Sequence, residues 1–298
     1  MTSPSGNPVP LKMIAMPNTA ENIVHQNLEA TFKRGYVPFR EAKDKRQGPV
    51  SIVGAGSSLA TTYKDIVGDV IACNSAHDYL ISKGIIPKYC MLWDANPIMV
   101  DVIKKPHPDV QYLVASRCHP GVFDKLKGYN VLVWHALGGE DVEKYLIERN
   151  LHEPMLAGGS SGATRALFLA GAMGYTTEMH LFGVCDAGDG KTTHVMGSLA
   201  KQNFIDIRVC GKWWKLAPWM AMQAADFKVL SPILKSLGIK LFVHGKGFLP
   251  YTATFLGVET PDIKVSLYEK MRRELHALIL LYLEFRNTPN YIGGFNAG

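Results

Sequence analysis

The sequence predicts an α/β fold, a mostly parallel sheet with helices on both faces, and three observations carry that prediction. Short, continuously apolar runs recur along the chain, helical patterns fill the gaps between them, and glycine- and serine-rich turns lie where a run passes into a helix. Apolar runs without polar alternation mark strands covered on both faces, and their alternation with helices marks parallel crossovers.

Taken in order, residues 1–18 are rich in Pro, Ser, Asn and Gly and read as an arm. A helix is expected over 19–34, with Ile23, Val24, Leu28 and Phe32 on one face, and a basic linker at 40–48 follows it. Strands are expected at 50–53, 70–73, 89–93, 110–115, 130–134, 178–182 and 239–243, and helices at 59–67, 75–83, 96–103, 121–127, 140–149, 161–174 and 220–237. Over 198–216 the pattern changes: Ile205, Ile207 and Val209 alternate with polar neighbours, and Gly211-Lys212 makes a turn. That alternation predicts a hairpin inserted before the last long helix, placed over the active site. The run LHALILLYLEF at 275–285 is too short to span a bilayer and reads as a packed C-terminal helix, with an apolar face able to pair with a second copy in a homo-oligomer. No internal repeat or low-complexity segment interrupts the series. The expected division is 1–47 (arm and helix), 48–258 (the sheet domain, Rossmann-like) and 259–298 (helix and tail).

Bulk properties narrow the class. A chain of 298 residues with 19% charged and 47% hydrophobic residues is globular rather than disordered. The formal charge of +6, with a pI near 8.9, admits a polyanionic partner but falls short of a nucleic-acid-binding signature. The basic clusters KDKR (43–46) and KMRRE (270–274) read as solvated surface. Cys73, Cys90, Cys118, Cys185 and Cys210 form no CxxC pair and sit in or beside apolar runs, so they read as buried free thiols of a cytoplasmic protein. The start MTSPSGNPVP has no basic segment followed by an apolar core and does not read as a signal peptide.

In open parallel sheets ligands sit beyond the carboxyl ends of the strands, so the residues after each strand carry the functional reading. After the first strand, Gly54-Ala55-Gly56-Ser57-Ser58 offers bare backbone N–H groups to an anion, or makes a tight structural turn. Asn74-Ser75 follows the second strand, where Asn74 suits a ribose or base edge or caps the next helix. After the third strand, Asp94 and Asn96 lie where a carboxylate could hold a metal or a substrate hydroxyl; Asp94 could equally cap the helix that Pro97 opens. A second glycine-rich turn, 158–162, opens a helix of small residues and adds the hydroxyls of Ser160, Ser161 and Thr164. Two such turns on one sheet suit a diphosphate or a nucleotide-sugar. Beyond the strand at 178–182, Asp186, Asp189, Lys191 and His194 crowd one loop, a candidate acid/base and phosphate-contact segment. Trp213, Trp214 and Trp219 would serve as core or as a stacking platform for a sugar or base, with at least one expected in a pocket.

With those residues in view, the segments SIVGAGSSL, ACNSAHDYLISKGIIPKYCMLWDANP and GGSSGATRALFLAGAMGYTTEMHLFGVCDA resemble the 6-hydroxymethylpterin diphosphokinase-like family. That family includes motility-associated flagellin glycosyltransferases and phage norphogenetic proteins, and the early segments are also similar to bacterial sialyltransferases. The resemblance spans roughly 48–255. It implies that Gly54, Gly56, Ser57 and Ser58 face nucleotide phosphates, that Asn74 with Ser75 meets the nucleoside, and that Asp94 meets the phosphates or their metal. It further implies that Gly159, Ser160 and Ser161 bind a second anion or the donor group. The family's acid before the third strand is replaced by Lys88, a basic residue that could compensate phosphate charge.

The function expected is a nucleotide-dependent transferase, above all a glycosyltransferase using a UDP- or CMP-linked sugar and a hydroxyl acceptor. Asp94, Asp186 and His194 are the candidate catalytic residues, and Lys191, Trp213 and Trp219 the candidate acceptor contacts. The alternatives are an ATP- and magnesium-dependent diphosphokinase acting on a hydroxymethyl group, its magnesium held by Asp94 with Asp186 or Asp189, and a non-catalytic phage-associated binding protein. Modified phage DNA, a glycan and a small metabolite all stay open as acceptors; a phage-encoded enzyme would work in the host cytoplasm.

Overall fold

The computed structural model describes residues 19–149, 152–184, 194–195, 204–209 and 212–264. The chain divides into two units, one ending at Asp262 and one beginning at Ile263, and every element described belongs to the first. The C-terminal helix expected at 275–285 lies outside the described residues.

In chain order the elements are α1 (Glu21–Arg34), β1 (Val50–Val53), α2 (Leu59–Thr62), β2 (Asp69–Cys73), α3 (Ala76–Ser82), β3 (Tyr89–Leu92) and β4 (Gln111–Ala115). Next come α4 (Pro120–Lys125), β5 (Asn130–Ala136), α5 (Glu140–Glu148), β6 (Met155–Leu156), α6 (Gly162–Ala172) and β7 (Glu178–Phe182). The series closes with β8 (Ile205–Val209), β9 (Lys212–Leu216), α7 (Pro218–Ser236), β10 (Lys240–Val243) and α8 (Phe248–Ala253). Eight strands form one sheet in the order β10-β7-β1-β2-β3-β4-β5-β6, every pairing within it parallel, while β8 and β9 form the antiparallel hairpin. This is the α/β Rossmann-like arrangement the alternation predicted.

The sheet has two buried faces because successive strand residues point to opposite sides. Ile52, Ile71 and Leu181 pack into a core with α6 and α7, whereas Val53, Val70, Ala72 and Phe182 join Leu59, Ala76 and Leu80 on the other face. Full burial of each of the larger side chains among them, Val, Leu, Ile or Phe, contributes about 1.5–3 kcal/mol.

Differences from the expected elements have local causes. The helix expected at 59–67 is one turn, α2, followed by a 3-10 turn at Tyr63–Asp65. The hydroxyls of Thr61 and Thr62 both donate back to the Ser58 carbonyl, a bond that competes with helix extension. The expected 96–103 helix is likewise a 3-10 turn, Pro97–Asp101. Two elements left no readable period: β6 spans two residues, and α8 follows Gly247 and contains Pro250.

The first helix, α1, belongs to the same compact unit as the sheet. Its Asn27 donates from Nδ2 to the carbonyls of Ala95 and Arg117, both at 3.0 Å, and its Thr31 hydroxyl donates to the Ser116 carbonyl at 2.8 Å. Val24 and Leu28 pack with Ala95, Val142 and Leu146. The helix thus holds the chain just after β3 and β4.

Strand order reverses direction at β1, whose neighbours are β2 on one side and β7 on the other. There the backbone of Gly54 meets that of Gly183. Gly54 N–H donates to the Phe182 carbonyl and Gly56 N–H to the Gly183 carbonyl, each at 2.8 Å. A Cβ on Gly54 would sit 2.4 Å from the Gly183 oxygen, a backbone atom with no rotamer to yield. Gly54→Ala is therefore expected to lower stability by about 1–3 kcal/mol in urea unfolding, whereas Gly84→Ala, where nothing lies within 4 Å, carries only its backbone strain.

Candidate functional site

The reversal at β1 opens a crevice of about 120 Å³ at the carboxyl edge of the sheet. Gly54, Ala55 and Gly56 form one wall, Cys73, Asn74 and Ser75 after β2 a second, and Ser161, Gly162 and Ala163 at the start of α6 a third; Gly183, Val184, His194, Trp219 and Gln223 complete it. Both glycine-rich turns thus reach one cavity, at the position where open α/β sheets bind ligands.

Asn74 is the one non-glycine residue with positive φ (54°) among the described residues. Its N–H donates to the Met91 carbonyl and its carbonyl accepts from His77 N–H, which fixes this left-handed conformation at the end of β2. The side-chain Oδ1 is buried with no hydrogen-bond partner among the described residues. Gln223, 3% exposed on α7, donates from Nε2 to the Ser161 hydroxyl at 2.7 Å, and its Oε1 is also buried and unpartnered among the described residues. Two orphaned acceptors in one crevice match the hydroxyl and N–H donors of a nucleoside.

The start of α6 is a capping box: Ser161 Oγ accepts from Thr164 N–H, and Thr164 Oγ1 accepts from Ser161 N–H. Helix geometry leaves the N–H groups of Gly162 and Ala163 without carbonyl partners inside the helix, and both residues line the crevice. His194 is held on the far wall because the N–H of its neighbour Val195 donates to the Ala55 carbonyl at 2.7 Å. Its ring lies 6.2 Å from that of Trp219, and burial pushes its pKa below the usual 6.5. Cys73, also on the wall, has its thiol pushed up to about 12 by burial, so it is protonated and unreactive at neutral pH.

Other predicted residues lie elsewhere. The N–H groups of Gly54 and Gly56 are spent on Phe182, the last residue of β7, and on Gly183 just beyond it, so these glycines shape the wall and their N–H groups are already bonded. Ser57 and Ser58 precede α2, a helix of one turn, and neither lines the crevice. The donors of Ser160 are engaged by the chain's own carboxylate: its N–H and hydroxyl both donate to Asp226 Oδ2, at 2.6 and 2.5 Å. Gly159 lets Asp226 approach, since its φ is +80° and a Cβ there would lie 2.9 Å from that carboxylate oxygen. Asn96 caps the 3-10 turn by accepting from Ile98 N–H, and Asp94 accepts from Asn96 N–H, so the capping role falls to Asn96 and the pair stands outside the crevice. Of the tryptophans, Trp214 is buried against Phe248 and Tyr251, Trp213 is 62% exposed on the hairpin, and only Trp219 reaches the crevice. Asp186, Asp189 and Lys191 lie outside the described residues.

Lys88 cannot serve phosphate as expected. It pairs at 2.6 Å with Asp69, which also accepts from the Tyr175 hydroxyl, at the amino end of β2 and β3, the edge opposite the crevice. Among the described residues no three His, Cys, Asp or Glu side chains converge as metal ligands. Arg117 lies close enough to Asp94 to feel its charge, and Asp186 and Asp189, the carboxylates expected to hold magnesium with Asp94, lie outside the described residues. Sequence reasoning missed Gln223, which had no strand-end position to mark it, and Arg117, which did have one, directly after β4 and Ser116.

An open parallel sheet with a crevice at its reversal point, walled by two small-residue turns, defines the Rossmann-like class of α/β folds. A model of the family described as 6-hydroxymethylpterin diphosphokinase MptE-like matches residues 21–190, more than half of the chain, and the chain belongs to that family. The match begins with α1, in accord with the packing of that helix into the sheet unit. Among solved structures, the chain is similar to the MAf glycosyltransferase from Magnetospirillum magneticum AMB-1, with a TM-score of 0.58 and 16% identity. The similarity covers 86% of this chain and 42% of that one, so the chain spans less than half the length of that neighbour. No curated protein matches the sequence. The family is named for a diphosphokinase and the neighbour is a glycosyltransferase, both transferases. Among the described residues no helix is long and apolar enough to cross a membrane.

Burial also depresses the pKa of His135 and His244, as it does that of His194. The unfolded chain binds protons at these rings near pH 6.5, before the folded one does, so stability is full above that value and falls as pH drops toward the depressed values. Urea midpoints measured between pH 7.5 and 5 are expected to fall, with a shallower slope in His194→Gln.

Proposed function

We propose that this chain is a nucleotide-dependent transferase, and specifically a glycosyltransferase that moves a sugar from a UDP- or CMP-linked donor to a hydroxyl acceptor. The supporting observation is the convergence of two small-residue turns and two orphaned buried acceptors, Asn74 Oδ1 and Gln223 Oε1, on one crevice. In this reading the acceptors take hydrogen bonds from the nucleoside. The N–H groups of Gly162 and Ala163 hold the phosphate, with the dipole of the 11-residue α6 behind them. The same donors stabilise the phosphate as it departs, so they act most strongly in the transition state. His194, neutral at pH 7 because it is buried, takes the proton of the acceptor hydroxyl, and Trp219 beside it offers a face for the acceptor or the sugar ring.

The family name supports a second reading, transfer of a pyrophosphoryl unit from ATP. It requires magnesium, which Asp94 would hold with Asp186 or Asp189, two residues outside the described ones. The glycosyl-transfer reading needs none.

A thermal-shift panel separates the two. Under the glycosyl-transfer reading, UDP or CMP without metal stabilises the protein, by about 2.7 kcal/mol at 100 times Kd. Stabilisation by ATP alone, and only with magnesium, would instead establish the kinase reading. Asn74→Ala is expected to weaken nucleotide binding by about fivefold to tenfold, the worth of one hydrogen bond, in calorimetric titration. His194→Ala is expected to lower kcat by about 10²–10⁴ at unchanged donor affinity. The wild-type kcat/KM profile should show an acid limb below pH 6.5, because the base must be unprotonated and its pKa is depressed; that limb should vanish in the variant.

A further inference from the structure

Two arginines stand at the same edge of the sheet, outside the crevice. Arg117 follows β4 and is 9% exposed; Arg165, on α6, is 7% exposed. Arginine is rarely buried to this extent without a carboxylate, because its charge must otherwise be stripped of water uncompensated. Here neither guanidinium has an ion-pair partner within 4.0 Å among the described residues, and Nε of each is buried without a hydrogen bond. Arg165 donates from Nη1 to the Leu137 carbonyl at 2.7 Å, while the Arg117 guanidinium makes no hydrogen bond among the described residues. Both cations lie over Trp93, with the Arg165 carbon 4.4 Å and the Arg117 carbon 5.4 Å from the ring centre.

Their free ends converge. A Cβ built on Gly138, just after β5, would meet Arg117 Nη1 at 3.0 Å and Arg165 Nη2 at 3.5 Å, and among the described residues no other atom beyond the chain neighbours comes within 4 Å of that point. Gly138 itself is exposed, so the point is open to solvent on one side. Asp94 and Asp226 act on the two guanidiniums only from beyond ion-pair distance. Burial, with the like charge of Arg117 adding to it, pulls the Arg165 pKa down to about 10.

We propose that Arg117, Arg165 and the bare backbone at Gly138 form a subsite for a compact oxyanion, a carboxylate or phosphoryl group carried by a substrate. Two guanidiniums aimed at one open point give the paired, directional donors that such groups accept, and a buried setting strengthens each bond. The absence of a side chain at residue 138 leaves room for the anion. That the anion belongs to the sugar or the acceptor rests on the transferase reading; that the point binds an oxyanion does not.

Wild type, Arg117→Met and Gly138→Ala are compared by thermal shift with inorganic phosphate and with acetate, each against sodium chloride at equal ionic strength. The alanine fills the subsite and leaves both charges in place, so it tests the site without touching the arginines. Wild type is expected to gain several degrees over chloride with one of the two anions, and both variants to lose most of that gain. Without anion, Arg117→Met should melt no lower than wild type, since it removes an uncompensated buried charge. A larger shift with phosphate assigns a phosphoryl group, and a larger shift with acetate a carboxylate. No gain over chloride in wild type, or equal gains in all three proteins, would overturn the proposal. Uridine and cytidine, which carry no anion, probe the crevice separately: their failure to bind would count against the nucleotide reading and leave the oxyanion subsite standing.

Discussion

The contact between Gly54 and Gly183 is the constraint on which the rest of the molecule depends. It lets β1 and β7 lie side by side to their very ends, with the N–H groups of Gly54 and Gly56 tied to the carbonyls of Phe182 and Gly183. Because strand order turns back at β1, the chain beyond these two glycines must diverge, and the divergence makes the cavity. The wall residues follow from that geometry: Asn74 arrives at the end of the next strand, α6 from one flank, and His194 through the bond between Val195 and Ala55.

The parallel sheet was legible because its strands are buried on both faces and so read as unbroken apolar runs. The site was legible in outline for the same reason, since one direction of strands puts every strand end on one edge. The finer roles were not. Gly54 and Gly56 read as phosphate donors, but which backbone N–H groups remain available depends on a strand more than 120 residues away, β7. Ser160 read as an anion ligand, yet its donors go to Asp226, 66 residues further on. Gln223 left no signal at all, because a glutamine in a long helix ordinarily faces water. Lys88 read as a phosphate partner because it replaces the family's acid before the third strand, yet that position is the amino end of β3, where it pairs with Asp69 on the edge opposite the crevice.

Arg117 was within reach of sequence reasoning and was passed over. It stands directly after the strand β4 and Ser116, in the run VASRC, where attention to strand ends would have found it. Arg165, within the helix, becomes meaningful only once Trp93 and Gly138 are seen beside it. A charge that is costly to bury is evidence of a different kind from a glycine turn, because burial needs an explanation and a turn does not.

The three hydrogen bonds from α1 to the backbone around Ala95, Ser116 and Arg117 give that helix a part in the architecture that its place before the first strand conceals. It acts as a buttress for the rim. A chain trimmed to begin at β1 would strip three carbonyls of their donors and uncover the apolar surface beneath Val24 and Leu28, so the shortest self-sufficient version of this protein starts ahead of its sheet.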